Sequence, residues 1–202
     1  MHIIVNHQNS ILINNEIYVD PLKINGKGNA KYIFITHPHW DHFSVEDIKK
    51  VLTNHAKIIC PKTMQNEILN LFQNDVVFVE PNKSYNFEGI AFDTFPSYNI
   101  NKKYHPKDNQ WLGYLLTIDN KKVAIIGDSD LTPELMNIKT DVLLVPIGGE
   151  YTMTLQDAAK LTNLIKPKKV IPTHYGEIVG HKNMGNEFKT LVNKTIDCEI
   201  QL

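Results

Sequence analysis

Residues 31–42 have the sequence KYIFITHPHWDH, an apolar run that ends in a dense cluster of histidine and aspartate. Lys31–Thr36 predicts a short buried strand, because its apolar residues are followed directly by a polar loop. Four metal-ligand side chains then fall within six residues: His37, His39, Asp41 and His42. A solvated or pH-sensing histidine turn is the alternative interpretation, but it does not account for this density. The segment predicts a metal site at the end of a buried strand.

The spacing of these ligands is compatible with two neighbouring metals. Side chains alternate sides in an extended backbone, so the first three ligands tend to one side and His42 lies on the other. One loop can thus serve two neighbouring ions. Imidazole and carboxylate together suit zinc, iron or manganese better than calcium or magnesium, which prefer oxygen alone.

Two further candidate ligands follow other predicted buried strands. Asp128 comes after the strand Val123–Ile126, and His174 comes directly after Lys169–Thr173. If the three strands share a sheet and a direction, their carboxyl ends meet on one rim, where sites are common. Alone, Asp128 is more often a turn residue and His174 a buried histidine. Their conjunction with H-x-H-x-D-H makes both candidate ligands.

The rest of the chain predicts an α/β fold. Ile11–Val19 predicts a hairpin around an Asn-Asn turn, and Ser44 and Thr154 are predicted helix N-caps. A further helix, which begins at Pro61, is expected to bury three residues: Met64, Ile68 and Leu71. The strands are first mainly antiparallel and then separated by helices, so helices must cover the sheet faces. No internal repeat or linker interrupts the pattern, which predicts a single domain over residues 1–202.

Composition limits the classes of partner and compartment. The chain has 202 residues, with 21 Lys plus Arg against 22 Asp plus Glu, so no overall charge favours nucleic acid or an anionic membrane surface. Cys60 and Cys198 lie far apart, which predicts two buried thiols and a reducing, cytoplasmic location. The first residues lack a signal-peptide pattern, and no run of about 18 apolar residues occurs. The sequence leaves open whether the chain forms a homo-oligomer.

Three short segments together resemble the metallo-β-lactamase superfamily over nearly the whole chain: T-H-x-H-x-D-H at 36–42, G-D-S at 127–129 and I-P-T-H-Y at 171–175. The segments GDSDLTPEL, PIGGEYTMT and IPTHYG resemble one branch, the compact hydrolases that include ascorbate-6-phosphate lactonase-like proteins. The resemblance implies a four-layer αββα sandwich, with two mixed β-sheets covered by helices. It also implies a centre of two divalent metal ions, with zinc as the expected metal and manganese or iron as alternatives.

The resemblance also implies a role for each candidate ligand. His37 and His39 would hold one metal, Asp128 would bridge, and the other metal would be held by three residues: Asp41, His42 and His174. The family pattern expects a third histidine on the first metal, but aligning FPSYN with it places Asn99 there. His105, six residues later, is the preferred ligand because an amide binds such metals poorly. An incomplete first site, with His105 on the surface, is the alternative.

These residues predict a metal-dependent hydrolase, and the resemblance implies a small, anionic substrate such as a lactone or phosphate-bearing metabolite. A hydroxide shared by two metals would attack an ester, lactone or phosphoester, with Asp128 bridging and Asp41 or a water returning the proton. A non-catalytic metal sensor or scaffold is the alternative, and Asn99 is its best support. A nucleic-acid-processing protein is a third class, which the near-neutral charge and the lack of a basic-aromatic pattern disfavour.

Four residues near the candidate ligands have weaker expectations. Asp20 is expected either to orient a ligand histidine or to be a simple turn residue. Trp40 and Tyr175 adjoin ligands along the chain and are expected to form pocket walls. His181 is a surface histidine that could reach a substrate. His2, His7 and His55 have no partner in the pattern.

Overall fold

Apolar strands dominate the part of the chain that the computed structural model describes, residues 1–87 and 89–202. The first sheet holds six strands in chain order: β1 (Ile3–His7), β2 (Ser10–Ile13), β3 (Ile17–Val19), β4 (Tyr32–Phe34), β5 (Lys57–Pro61) and β6 (Asp75–Val79). Strands β1 to β3 pair antiparallel, and β3 to β6 pair parallel. The predicted hairpin is β2–β3, and Asn14 and Asn15 turn it with positive φ angles of 49° and 61°.

The second sheet combines an antiparallel half with a parallel half. Its strands are β7 (Ser84–Phe87), β8 (Ile90–Pro96), β9 (Leu112–Ile118), β10 (Lys121–Ile125), β11 (Val142–Pro146), β12 (Lys169–Thr173) and β13 (Asp197–Cys198). They are neighbours in chain order, antiparallel from β7 to β10 and parallel from β10 to β13. Both sheets are therefore mixed.

Four α-helices cover the outer faces of the sheets in the described residues: α1 (Val45–Val51), α2 (Gln65–Leu71), α3 (Leu155–Ile165) and α4 (Met184–Leu191). Short 3-10 turns occupy Lys62–Met64, Lys107–Asn109 and Leu135–Asn137. Ser44 and Thr154 cap α1 and α3 as predicted, each accepting a hydrogen bond from the backbone three residues on. In this part of the chain, no helix has the length and apolar character needed to cross a membrane.

Three apolar clusters lie between the layers. One joins the facing sides of the two sheets, for example Phe34 with Tyr114. A second packs the first sheet against α1 and α2, and a third packs the second sheet against α3 and α4. Because each sheet buries both faces, the order of layers is helix, sheet, sheet, helix. The predicted αββα sandwich is confirmed.

Two structural expectations need correction. Leu71 is 39% exposed, and Phe72 is the buried residue at the end of α2. The strand that precedes His37 does not share a sheet with the strands that precede Asp128 and His174, because β4 lies in the first sheet and β10 and β12 in the second. The carboxyl ends therefore meet across the sandwich rather than along one sheet edge.

Close backbone contact between the sheets brings these ends together. Leu112 N donates to Thr36 O at 3.2 Å, and the Tyr114 hydroxyl donates to Ile35 O at 2.6 Å. Gly127 permits this approach, since a Cβ at that position would lie 2.9 Å from Leu112 O and 3.1 Å from Thr36 Cβ. The loop that carries Asp128 thus reaches the loop that carries the H-x-H-x-D-H segment.

Candidate metal centre

All seven side chains predicted as ligands converge at the joined ends of the two sheets. Their potential ligand atoms form groups in which every atom lies within 4.8 Å of the others. We call His37, His39 and His105 the first group, and Asp41, His42 and His174 the second group. A third combination links them: His37, His42 and Asp128. The structure brings the predicted residues together in the partition that the sequence resemblance implied.

The Asp128 carboxylate lies between the two groups. Its Oδ2 is 3.3 Å from His105 Nε2 in the first group and 3.2 Å from His174 Nε2 in the second. Its Oδ1 is 3.3 Å from His42 Nε2. A carboxylate in this position can contact an ion on either side, which is the geometry expected of a bridging ligand.

The second group is compact and deeply buried. His42 Nε2 and His174 Nε2 lie 3.2 Å apart, and Asp41 Oδ2 is 3.6 Å and 3.3 Å from them. His174 adopts a left-handed conformation with φ of 56°, which is unusual for a side chain with a Cβ. Its backbone N–H donates to Gln8 O at 2.9 Å. The β1–β2 turn therefore helps to hold a strained residue at the centre.

Asp20 orients His42 from behind. Asp20 Oδ2 accepts hydrogen bonds from His42 Nδ1 at 2.8 Å and from the Thr36 hydroxyl at 2.6 Å, and Oδ1 accepts from Thr36 N at 2.8 Å. A bond from Nδ1 to a carboxylate leaves Nε2 of the same ring free to act as a ligand. Of the two expectations for Asp20, its contacts fit the orienting one.

Asn99 supports His105 rather than replacing it. Asn99 Oδ1 lies 2.9 Å from His105 Nδ1, and Asn99 Nδ2 donates to Tyr151 O at 2.9 Å. His105 is buried, so the alternative of a surface His105 is wrong. The amide that the sequence alignment placed at the ligand position thus stands behind the histidine and aims its Nε2 toward His37 and His39.

Trp111 packs against the first group. Its ring centroid lies 5.0 Å from that of His37, 4.8 Å from His39 and 5.5 Å from His105. The indole therefore limits the orientations open to all three imidazoles. Trp111 is a supporting residue that the sequence interpretation missed, because it stands in no recognisable spacing with the ligands. Asn99 was singled out as the residue at a ligand position, but its supporting contact with His105 was not foreseen.

Electrostatic interactions at the centre favour an anionic Asp128 with cations beside it. Burial by itself raises the pKa of Asp128, but His174 and His42 outweigh it and hold that pKa well below its usual value. Burial likewise lowers the pKa of the two histidines, but Asp128 outweighs it, raising the pKa of His174 to about 9 and that of His42 well above its usual value. Burial, with His42 next, holds the pKa of His37 well below normal, so His37 is neutral and has a lone pair to donate.

The donor set fits divalent metal ions. Within the candidate ligands, three atoms are buried without a hydrogen-bond partner among the described residues: His105 Nε2, Asp128 Oδ1 and His174 Nδ1. An orphaned buried polar atom is costly, and coordination of a cation would satisfy the first two. Imidazole nitrogens with two carboxylates match the preferences of zinc, manganese and iron.

The remaining expectations have mixed outcomes. Trp40 lines the cavity above the centre, as expected. Tyr175 does not: it is 2% exposed and packs with α3 and α4, because the turn at His174 directs it into the core. His181 is exposed beside Glu187, 3.8 Å away, and outside that cavity. Cys60 and Cys198 are buried free thiols, and burial raises their pKa to about 12 and about 11.

The chain is similar to proteins of one family across most of its length. A family model for the β-lactamase superfamily domain matches residues 7–174. A UPF0173 protein of Pyrococcus abyssi is 32% identical over 151 residues, which is 74% of this chain and 68% of that protein. A UPF0173 metal-dependent hydrolase of Pyrococcus horikoshii is 30% identical over 176 residues, covering 83% of this chain and 76% of that one.

Solved structures agree with this relationship. A Parabacteroides distasonis protein assigned as a metal-dependent hydrolase superposes with a TM-score of 0.81 at 29% identity, covering 97% of this chain and 90% of that one. The metallo hydrolase Igni18 of Ignicoccus hospitalis has a TM-score of 0.74 at 20% identity, covers 97% and 94%, and shows the fold alone. The chain belongs to the β-lactamase superfamily and, within it, to the UPF0173 family of metal-dependent hydrolases.

Proposed function

We propose that this protein holds two divalent metal ions and uses them to hydrolyse a small ester, lactone or phosphoester. The observation that carries the proposal is the convergence of five imidazoles and two carboxylates, from both sheets, into two adjoining groups. The resemblance to ascorbate-6-phosphate lactonase-like proteins supports a lactone or phosphate-bearing substrate and stays a prediction.

Each group would hold one ion, and Asp128 would contact both. When bound, such ions lower the pKa of water toward about 7 and polarise the bond to be cleaved. Zinc is the expected metal, with manganese or iron as alternatives, because the donors are nitrogen and oxygen. The chain's own residues supply the rest of the chemistry.

Asp41 is the residue best placed to move a proton. Its side chain is 12% exposed and lines the cavity, while Asp128 is almost fully enclosed. Burial raises the pKa of Asp41, but a hydrogen bond with His174 and the charge of His42 outweigh it and hold that pKa below its usual value, so the group is available as a carboxylate. We assign Asp41 the acceptance of a proton during attack and its return to the leaving group.

The supporting residues keep the ligands in place. Asp20 and Thr36 fix the ring of His42, and Asn99 fixes that of His105. A preorganised centre loses little free energy in rearranging during the reaction. The sensor alternative was based on Asn99 as a missing ligand, and the contact of Asn99 with His105 removes that basis.

The decisive test compares the natural protein with Asp128→Ala. Elemental analysis of protein purified without chelator should find two ions per chain in the natural protein, together with turnover on a panel of lactones, phosphoesters and thioesters. Asp128→Ala should lose both ions and all turnover, because the carboxylate between the groups is gone. Turnover like that of the natural protein in this variant would end the proposal. One tightly held ion without turnover in the natural protein would favour the sensor.

A further inference from the structure

The cavity above the candidate centre has an aromatic mouth. It has a volume of about 280 Å³, and its floor is formed by candidate ligands: His39, Asp41, His105 and Asp128. Its walls are the side chains that we call the aromatic mouth: Trp40, Tyr104, Tyr151 and Ile178. The floor can engage the bond that is cleaved, and the mouth contacts whatever the substrate carries beyond it.

The aromatic mouth exposes large apolar side chains to solvent. Trp40 is 67% exposed and Tyr104 is 39% exposed, which is unusual for such large apolar rings. The Tyr104 and Tyr151 rings meet edge to face, with centroids 4.7 Å apart and an interplanar angle of 86°. This pairing holds both rings at the entrance, and Asn99 anchors the Tyr151 backbone to the centre.

The cavity walls, as far as the described residues form them, contain no lysine. The chain contains no arginine at all, the residue best suited to grip phosphate or carboxylate in two places. Lys102 is engaged by Asp130 Oδ1 at 2.5 Å and by Thr152 O at 2.6 Å. Lys103 stands 5.4 Å from the Tyr104 ring. A second anionic group on the substrate would find no cationic side chain in the walls.

From this mouth we propose that the substrates are small esters, lactones or phosphoesters that carry an aromatic ring next to the bond that is cleaved. Negative charge would be confined to the group at the floor. The ring would pack against Tyr151, Tyr104 and Trp40, where aromatic contacts add to the burial of apolar area. This inference rests on the proposed function, because the floor must be a working hydrolytic centre.

Matched substrate pairs test the inference without altering the protein. Each pair is followed through the same leaving group. Methyl phenylacetate is compared with methyl acetate, and benzyl methyl phosphate with dimethyl phosphate, by release of methanol; α-phenyl-γ-butyrolactone is compared with γ-butyrolactone by opening to the primary alcohol. In every pair that is cleaved, the aryl member should have about tenfold higher kcat/KM, chiefly through a lower KM, since the ring adds contacts of ordinary aromatic strength. Equal kcat/KM within cleaved pairs overturns the proposed preference for an aromatic substrate but not the proposal that the protein is a hydrolase. Cleavage of none of the pairs overturns the hydrolase itself.

A variant of the mouth locates the preference. Tyr151→Ala keeps the main-chain oxygen that accepts from Asn99, so the support of His105 is retained. It should reduce the aryl preference about threefold to tenfold, expressed in KM. Leu164→Ala, an apolar truncation of a 53% exposed residue on α3, is the matched control and should leave the preference unchanged. An unchanged preference in Tyr151→Ala would show that the ring binds elsewhere. If that variant does not fold, inhibition of the natural protein by phenylacetate should be about tenfold stronger than by acetate, and equal inhibition overturns the inference.

Discussion

The first and second groups of the candidate centre are similar in size but are supported by different chemistry. The second group contains the carboxylate of Asp41, and the buried carboxylate of Asp20 stands behind His42. The first group consists of three imidazoles, supported by the neutral amide of Asn99 and the neutral indole of Trp111. His42 and His174 are fully buried, whereas His39 is only partly so.

This contrast bears on how firmly each ion would be held. A carboxylate behind a ligand imidazole raises its basicity and fixes its ring, and an anionic ligand attracts the cation directly. Three imidazoles supported by an uncharged amide and an uncharged indole lack both contributions. We therefore expect the second group to bind its ion more tightly than the first, so that a chelator removes the two ions in separate steps.

Asp20→Asn should have the largest effect on this asymmetry. The amide can still accept from His42 Nδ1, but the negative charge is lost. Affinity for the ion of the second group should fall by about 10- to 100-fold, which is the usual effect of removing such a partner. Titration with metal followed by calorimetry measures it.

Asp47→Asn is the control for that variant. Asp47 is also a buried carboxylate and lies in the first turn of α1. It accepts hydrogen bonds from Lys23 N and Ile24 N but belongs to neither group. It should leave both affinities unchanged. If Asp20→Asn retained natural affinity for both ions, charged support would not explain the asymmetry.

Asn99→Ala should have a smaller effect, confined to the first group. The change removes a neutral hydrogen bond to His105, worth about 0.5–1.5 kcal/mol, so affinity for the first ion should fall by about three- to tenfold. The control is Asn163→Ala, since both ends of the Asn163 amide also form hydrogen bonds, to Leu191 O and from Asn193 N, and Asn163 belongs to neither group. Loss of the second ion instead of the first would reverse the assignment of support to groups.

Thr154→Ala should leave the metal affinity of both groups unchanged, so it shows how much a loss of general stability alone affects metal binding. Thr154 caps α3 by accepting from Asp157 N at 3.1 Å. Its removal should cost about 1 kcal/mol of stability and lower Tm by about 2–4 °C. Thermal unfolding should show the loss of stability, and metal titration should show binding as in the natural protein. Weakened metal binding here would mean that affinity follows general stability, and the comparison of groups would lose its meaning.

Much of this arrangement could be predicted from sequence because local signals were strong. The H-x-H-x-D-H segment follows a strand directly, so its ligands are close in space whatever the rest of the chain does. Ser44 and Thr154 have local capping chemistry, which also needs no tertiary contact. The positions of Asp128 and His174 at strand ends were enough to place them near the same edge.

What could not be predicted depends on contacts between distant parts of the chain. The assignment of β4 to a different sheet from β10 follows from packing across the sandwich. Tyr175 adjoins a ligand in sequence, but the left-handed turn at His174 sends its ring into the core. Leu71 and Phe72 are adjacent apolar residues, and only the docking of α2 decides which one is buried.

The meeting of β4 and β12 across the sandwich has a consequence for biosynthesis. Residue 37 leaves the ribosome long before residue 174, so the early histidines are translated without the partners that complete either group. If the centre holds two ions as proposed, a nascent chain cannot bind both in their final places until the last parallel strands have joined their sheet. We therefore expect metal loading to follow folding, with the ions entering through the cavity of an already assembled protein.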